Sequence, residues 1–228
     1  MFFQNATVFL SLIMLYLLKC VILRQKDDTM KYQNVIFDFG NVLVKVSSEY
    51  MVSRFTDNED DIKLLSDVIF SRDIWDKLDI GTISEEESLA IIKSRLDERL
   101  HNIARKVFES WIDLLPEVEG MRELIAKLRN AGCGVYMLSN ISKRFSENRH
   151  KAPIVSLFDG VVCSGDLGYG KPDRRIFEHI CEKCSIDPST AIFIDDNKMN
   201  TDAAKQFGLD AWHFRFDVDD LTNYLFEE

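Results

Sequence analysis

Short, almost wholly apolar runs recur along this chain, and amphipathic segments separate them. The runs are residues 34–38, 134–139, 160–163 and 191–195, with 211–214 as a fifth candidate. Continuous apolar runs of this length predict strands that are buried on both faces of a parallel sheet. The segments between them, such as 116–130, 174–184 and 200–207, carry apolar residues at helical spacing. The alternation predicts an α/β fold with a doubly wound, Rossmann-like parallel sheet.

One long segment, residues 47–115, interrupts this alternation. It shows helical periodicity, for example at 85–96 and 102–114, and contains no strand candidate. Because the segment is too long for a simple crossover connection, we expect a small all-helical domain inserted after the first strand. The predicted organisation is an α/β core of residues 30–46 and 116–228, a helical insertion at 47–115 and a separate N-terminal segment at 1–29.

The N-terminal segment contains an apolar run at residues 6–23, which only Lys19 interrupts. The run is near the lower length limit for a membrane span. If it is an anchor, the basic residues at its C-terminal side keep the rest of the chain on the cytoplasmic face. The alternative interpretation is that the functional chain starts at Met30. Both interpretations predict a cytoplasmic catalytic domain, and only the first predicts contact with a membrane.

The charge balance limits the classes of partner. The formal net charge is −10, and a uniformly acidic protein repels nucleic acid, so no nucleic-acid partner is expected. An anionic substrate would need a local cationic site, which a bound metal ion could supply.

Polar side chains follow the predicted strands. Ligands of open α/β sheets bind at the carboxyl ends of the strands. Each side chain alone could cap a helix or lie in solvent, but converging carboxylates raise each other's pKa unless a cation joins them. Oxygen ligands favour Mg²⁺. The set comprises Asp38, Ser139, Asn140, Lys171, Asp195 and Asp196.

These residues lie in four motifs that resemble those of the haloacid dehalogenase (HAD) superfamily of hydrolases. The motifs are VIFDFGNVLV with Asp38, VYMLSN with Ser139, GKPD with Lys171, and FIDDNKMN with Asp195, Asp196 and Asn200. They occur in the family's order and span residues 33–215. The helical insertion lies where the family carries a helical cap.

The resemblance implies a role for each residue. Asp38 would be the nucleophile that forms an aspartyl-phosphate. Lys171 would neutralise Asp38 and the substrate phosphate, which Ser139 and Asn140 would also bind. The implied Mg²⁺ ligands are Asp38, the Gly40 carbonyl and Asp196, with Asp195 and Asn200 in support.

One position departs from the family pattern. Phosphatases of the family usually carry a second Asp two residues after the nucleophile, which acts as general acid and base, whereas this chain has Gly40. The DFGNVL motif and the segment WDKLDIGTIS resemble phosphatases of α-D-glucose 1-phosphate, a subgroup with the same glycine. The residues around Trp75 and Asp79 in that segment are expected to close over the leaving group.

The sequence therefore predicts a magnesium-dependent phosphatase that acts on a small phosphorylated metabolite, with a sugar phosphate as the expected substrate. Two alternatives stay open. In a haloacid dehalogenase, Asp38 would attack carbon and no metal would be needed. A protein without catalysis could bind a phosphorylated metabolite, and Gly40 is the observation behind that alternative.

Overall fold

The computed structural model describes residues 30–226 of the 228 in the chain. The predicted apolar segment at 1–29 lies outside the described residues. Within the described part of the chain, no helix is both long enough and apolar enough to span a membrane.

The core of the fold is a five-stranded parallel sheet with the order β3-β2-β1-β4-β5. From β1 the chain runs outward through β2 to β3, then returns past β1 to β4 and continues to β5. This is the predicted doubly wound arrangement. The strands are β1 (Asn34–Phe37), β2 (Gly134–Ser139), β3 (Gly160–Cys163), β4 (Ala191–Asp195) and β5 (Asp210–His213).

Alternate residues of the central strands pack into different hydrophobic layers, as the pleat of a strand requires. Val35 and Phe37 belong to one layer together with Leu124 of the helix Met121–Asn130. Ile36 belongs to the opposite layer, with Phe177 of the helix Arg174–Cys184. The sheet is therefore buried on both faces, which explains why its strands are apolar throughout.

Ten α-helices occur among the described residues. The short 3₁₀ helices are Glu98–Leu100, Trp111–Leu114, Arg149–Lys151, Pro153–Leu157, Ser164–Asp166 and Pro188–Thr190. The α-helices are α1 (Ser48–Ser53), α2 (Glu59–Ile69), α3 (Arg72–Asp79), α4 (Glu85–Ser94), α5 (His101–Ser110), α6 (Met121–Asn130), α7 (Lys143–Asn148), α8 (Arg174–Cys184), α9 (Lys198–Phe207) and α10 (Val218–Phe226).

The helical insertion contains α1 to α5, and every regular element described between residues 47 and 115 is a helix. Its own hydrophobic cluster includes Leu65, Ile74 and Val107. The two ends of the insertion meet, because the Lys45 N–H donates to the Pro116 carbonyl at 2.8 Å. That residues 47–115 form a separate domain stays a prediction.

Two predicted elements differ at their ends. A helix is predicted from residue 116, but α6 begins at Met121. Val118 instead donates its N–H to the Leu43 carbonyl at 2.9 Å, and Gly120, at a φ of 82°, precedes the helix. The helix predicted at 102–114 ends at Ser110 and continues as the 3₁₀ helix Trp111–Leu114.

Candidate active site

Asp38 lies immediately after β1, at the carboxyl edge of the central strand. Its backbone N–H donates to the Ile194 carbonyl at 2.8 Å, which extends the pairing of β1 with β4 by one residue. The residue is 8% exposed. Lys171 Nζ lies 2.7 Å from Asp38 Oδ1. The predicted nucleophile is therefore a buried carboxylate that pairs with the predicted lysine.

Lys171 reaches this edge from the loop after β3, and Asn140 fixes the loop. The Asn140 side-chain amide donates to the Lys171 carbonyl at 2.8 Å and accepts from the Lys171 N–H at 2.7 Å. A Cβ at Gly170 would lie 2.5 Å from Asn140 Oδ1, so glycine permits this close approach. Both polar groups of the Asn140 side-chain amide therefore position Lys171. The predicted contact of Asn140 with phosphate would have to come from the Asn140 backbone N–H.

Asp195 lies at the end of β4 and is fully buried. Its Oδ2 is 2.7 Å from Lys171 Nζ, and its Oδ1 accepts from the Asn197 N–H at 2.7 Å. Asn200 Nδ2 lies 3.2 Å from Oδ1 and 3.0 Å from Oδ2. Protein donors therefore surround this carboxylate.

Asp196 is more accessible than Asp195, and the loop after β1 holds it. Asn41 has a left-handed φ of 58°, and its Nδ2 donates to Asp196 Oδ2 at 3.2 Å. Asn41 is a residue of the site that the sequence does not single out, although it lies inside the first motif. Carboxylate oxygens of Asp38, Asp195 and Asp196 lie within 4.8 Å of one another.

The cluster is electrostatically unbalanced. Burial raises the pKa of Asp38 to about 7; Asp195 adds to this rise, and Lys171 opposes it. Burial and Asp195 also raise the pKa of Asp196. Burial alone would lower the pKa of Lys171, but Asp38 and Asp195 outweigh it and the pKa is raised. Three carboxylates and one ammonium leave two uncompensated negative charges, and this oxygen-rich set fits a divalent cation such as Mg²⁺.

A cavity of about 250 Å³ adjoins the cluster, and we call it the apolar cavity. Gly40, two residues after Asp38, and Ser139, at the end of β2, are among the residues that line it. Gly40 does not have a positive φ, and a Cβ there would meet Val46 Cγ2 at 3.4 Å, an ordinary contact. Backbone geometry therefore does not require glycine at this position. The cavity is lined by Phe39, Gly40, Val46, Met51, Phe70, Trp75, Asp79, Trp111, Leu115, Ser139, Asn140 and Ile141.

Asp79 is the carboxylate that the helical insertion brings to this cavity. It is the last residue of α3, and its backbone carbonyl accepts from Ser164 Oγ. It also lines a second cavity of about 520 Å³, together with Lys171 and Asn200, which we call the polar cavity. The sequence predicts only that the segment around Asp79 covers the leaving group, because the path of a helical insertion cannot be calculated from periodicity.

Comparison with known proteins places this geometry in a family. A sequence model of the haloacid dehalogenase-like hydrolases matches residues 32–208. The sesquiterpene phosphatase astK of Aspergillus oryzae is 27% identical over 80% of this chain and 89% of its own length. The D-ribitol-5-phosphate phosphatase of Bacteroides thetaiotaomicron is 27% identical over 79% of this chain and 90% of its own length.

The fold also matches solved structures. A HAD family enzyme from Bacteroides thetaiotaomicron, in complex with magnesium and inorganic phosphate, superposes with a TM-score of 0.65 at 22% identity. The match covers 83% of this chain and 98% of the other. The described residues therefore share the fold of a solved HAD family enzyme.

Proposed function

Because this chain belongs to the haloacid dehalogenase-like hydrolases, we propose that it is a magnesium-dependent phosphatase that acts on a small phosphorylated metabolite through an aspartyl-phosphate on Asp38. The observation that carries the proposal is the cluster of Asp38, Asp195 and Asp196 around Lys171. A buried carboxylate next to a cation can attack phosphorus, and the same cation attracts the phosphate. The two residues that follow Asp38 line the apolar cavity, which could hold the rest of the substrate.

The contacts of Asp195 support the metal ligands that the family resemblance implies. Asp195 accepts from Lys171, Asn197 and Asn200, so it supports the cluster and is not a free ligand. Asp38, Asp196 and the Gly40 carbonyl would then hold Mg²⁺. When bound, the ion would neutralise charge on the phosphate and on Asp38.

The phosphate would lie against the loop after β2. The Ile141 N–H is engaged, because it donates to Ser164 Oγ at 2.9 Å. We therefore assign the Ser139 hydroxyl and the Asn140 backbone N–H as phosphate donors, together with Lys171. In the covalent step Asp38 forms a bond to phosphorus and the bond from phosphorus to the ester oxygen breaks. Water then releases phosphate from Asp38.

The net negative charge of the carboxylate cluster and the position of Asp79 distinguish this proposal from the two alternatives. A dehalogenase needs no metal, so a cluster with two uncompensated negative charges would only weaken an Asp38 nucleophile by raising its pKa. A binding protein without catalysis would be suggested by Gly40 if no other acid reached the site, but Asp79 lines the same cavity. Both observations favour phosphate ester hydrolysis.

The apolar cavity favours a second candidate for the substrate class. A sugar phosphate is the substrate class expected from the sequence, and the ribitol-phosphate relative supports it. However, the polar side chains among the residues that line the cavity are those of Asp79, Ser139 and Asn140, and a polyol needs more hydrogen-bond partners when it is buried. An ester with a largely apolar alcohol fits this lining better, and the sesquiterpene phosphatase relative supports that candidate.

The proposal is tested by phosphate release from a panel of sugar, isoprenoid and aryl phosphates, with Mg²⁺ and with EDTA. We expect Mg²⁺-dependent release. Asp38→Asn should abolish release and the trapping of a phosphorylated enzyme, because an amide is not a nucleophile, while the nearly isosteric change preserves the fold. A matched control is Asp113→Asn, since Asp113 is an exposed partner of Lys151. Turnover by Asp38→Asn that equals the control would refute the covalent mechanism.

A further inference from the structure

We propose that Asp79 is the general acid and base of this site, acting from the helical insertion in place of the carboxylate that position 40 lacks. The inference rests on the proposed phosphatase function. It assigns a catalytic role to a residue outside the four motifs.

The first argument is position. Asp79 borders the apolar cavity, where Gly40 and Ser139 meet it, and also the polar cavity next to Lys171. An alcohol that leaves phosphorus opposite Asp38 departs into the space in front of the cluster. Among the residues that line the apolar cavity, Asp79 is the one with an ionisable carboxyl group.

The second argument is that the Asp79 carboxyl has an unused hydrogen-bonding atom. Its Oδ1 is buried and has no hydrogen-bond partner within residues 30–226. A buried polar atom without a partner costs about 1–3 kcal/mol, so its retention needs a reason. A substrate oxygen in the cavity would supply the partner.

The third argument is protonation state. Burial raises the pKa of Asp79 to about 8; Asp76 and then Asp38 add to the rise, and the Ser142 backbone N–H opposes it. The largest cause, burial, does not depend on whether a metal occupies the carboxylate cluster. A carboxyl with such a pKa keeps its proton at neutral pH and can donate it. The charged groups that share the polar cavity with Asp79 are Arg72, Asp76, Lys171, Asp173 and Arg175.

The proton balance of the two steps closes. In the first step Asp38 attacks phosphorus, the ester P–O bond breaks, and the Asp79 proton goes to the leaving alkoxide to give the alcohol. In the second step the Asp79 carboxylate takes a proton from water as that water attacks phosphorus. The bond between Asp38 and phosphorus then breaks, phosphate leaves, and Asp79 is again protonated.

The experiment measures kcat/KM for alkyl and aryl phosphate esters in the presence of Mg²⁺. The wild-type protein should show a flat dependence on leaving-group pKa. Asp79→Asn should slow alkyl esters on the order of 10²–10⁴-fold, the usual value of acid–base assistance. With p-nitrophenyl phosphate it should release a burst of nitrophenol, because only the second step still lacks its base.

The control is Asp73→Asn, which removes an exposed charge from the same helix. It should keep the wild-type leaving-group dependence. Gly40→Asp on the Asp79→Asn background should restore the alkyl ester rate, since a Cβ at position 40 makes only an ordinary contact with Val46. If the Asp79 variant does not fold, the wild-type protein alone still tests the inference, because a steep leaving-group dependence would show that no carboxyl group donates the proton.

Two outcomes overturn the inference, and they are distinguishable from failure of the proposed function. An active wild-type protein whose leaving-group dependence is steep, and which Gly40→Asp flattens, would show that Asp79 gives no proton. The same conclusion follows if Asp79→Asn leaves the dependence unchanged. A folded wild-type protein that releases phosphate from no ester of the panel overturns the phosphatase proposal itself and removes the premise.

Discussion

Replacing Lys171 with Met removes a cation that directly contacts two buried carboxylates. Its Nζ lies 2.7 Å from both Asp38 and Asp195, and its side chain is 1% exposed. Removing one partner of a buried ion pair costs about 3–5 kcal/mol, because the remaining charge is buried without compensation. For a chain of this size that corresponds to a fall in Tm of roughly 6–20 °C. We expect a loss in this range at pH 8 in EDTA.

The loss should depend on pH, and the direction follows from the pKa of Asp38. In the folded wild type this pKa is raised to about 7 from 3.8. A raised carboxyl pKa favours the folded state at low pH, and this contribution is lost as pH rises through the folded pKa. Without Lys171, which lowers this pKa, Asp38 holds its proton to higher pH. Lys171→Met should therefore be much less destabilising at pH 5 than at pH 8.

Urea denaturation followed by tryptophan fluorescence in EDTA at the two pH values gives the free energies of unfolding. The matched control is Lys151→Met, which removes an exposed ion pair with Asp113 and should cost about 0–1 kcal/mol at either pH. A Lys171→Met protein that is as stable at pH 8 as the control would refute the electrostatic account of the cluster.

Two further variants test how neighbouring residues hold the site. Asn140→Ala removes both hydrogen bonds to the Lys171 backbone and should lower kcat on the order of 10²-fold, as a small misplacement of a catalytic group does, with little change in KM; an unchanged kcat would mean that the loop needs no anchor. Asn41→Ala removes the 3.2 Å hydrogen bond to Asp196 and should raise the Mg²⁺ concentration for half-maximal activity about 10–100-fold, the usual effect of losing a group that orients a metal ligand. A metal titration measures this, and an unaltered requirement would argue against Asp196 as a ligand.

The central strands were predictable because burial on both faces makes them apolar along their whole length. The observed bounds of β2, β3 and β4 are those expected from the sequence, and α8 also runs over the predicted residues. At the edge strand β5, which is less buried, the bounds differ by one residue, since β5 begins at Asp210. β3 is also an edge strand, yet its bounds match, while the central strand β1 ends at Phe37, one residue before the predicted end. Apolar continuity therefore locates each strand but does not fix its last residue.

The side-chain partners within the site were harder to predict than the site itself. The order of the motifs brings Asp38, Lys171 and Asp196 to one edge, but a motif does not state which hydrogen bond each atom makes. The Asn140 side-chain amide donates a hydrogen bond to the backbone of Lys171, 31 residues away. Sequence spacing does not predict that contact. Asp79 lines the cavity because α3 ends there, and the sequence does not predict where α3 ends relative to the core.

Ser164 links the two halves of the proposed chemistry. Its hydroxyl donates to the Asp79 carbonyl and accepts from the Ile141 N–H, so one side chain touches the helical insertion and the loop that begins at Ser139. A Cβ at Gly81, two residues after Asp79, would lie 3.3 Å from the Gly165 carbonyl oxygen, so the chain after α3 also packs closely against the backbone next to Ser164. These contacts fix the position of the proposed acid relative to the proposed phosphate-binding loop. A carboxylate at position 40 would be positioned by contacts within the core alone. A carboxylate on the insertion depends on the contacts of α3 with the core, so the proposed proton transfer requires the packing of α3 against Ser164.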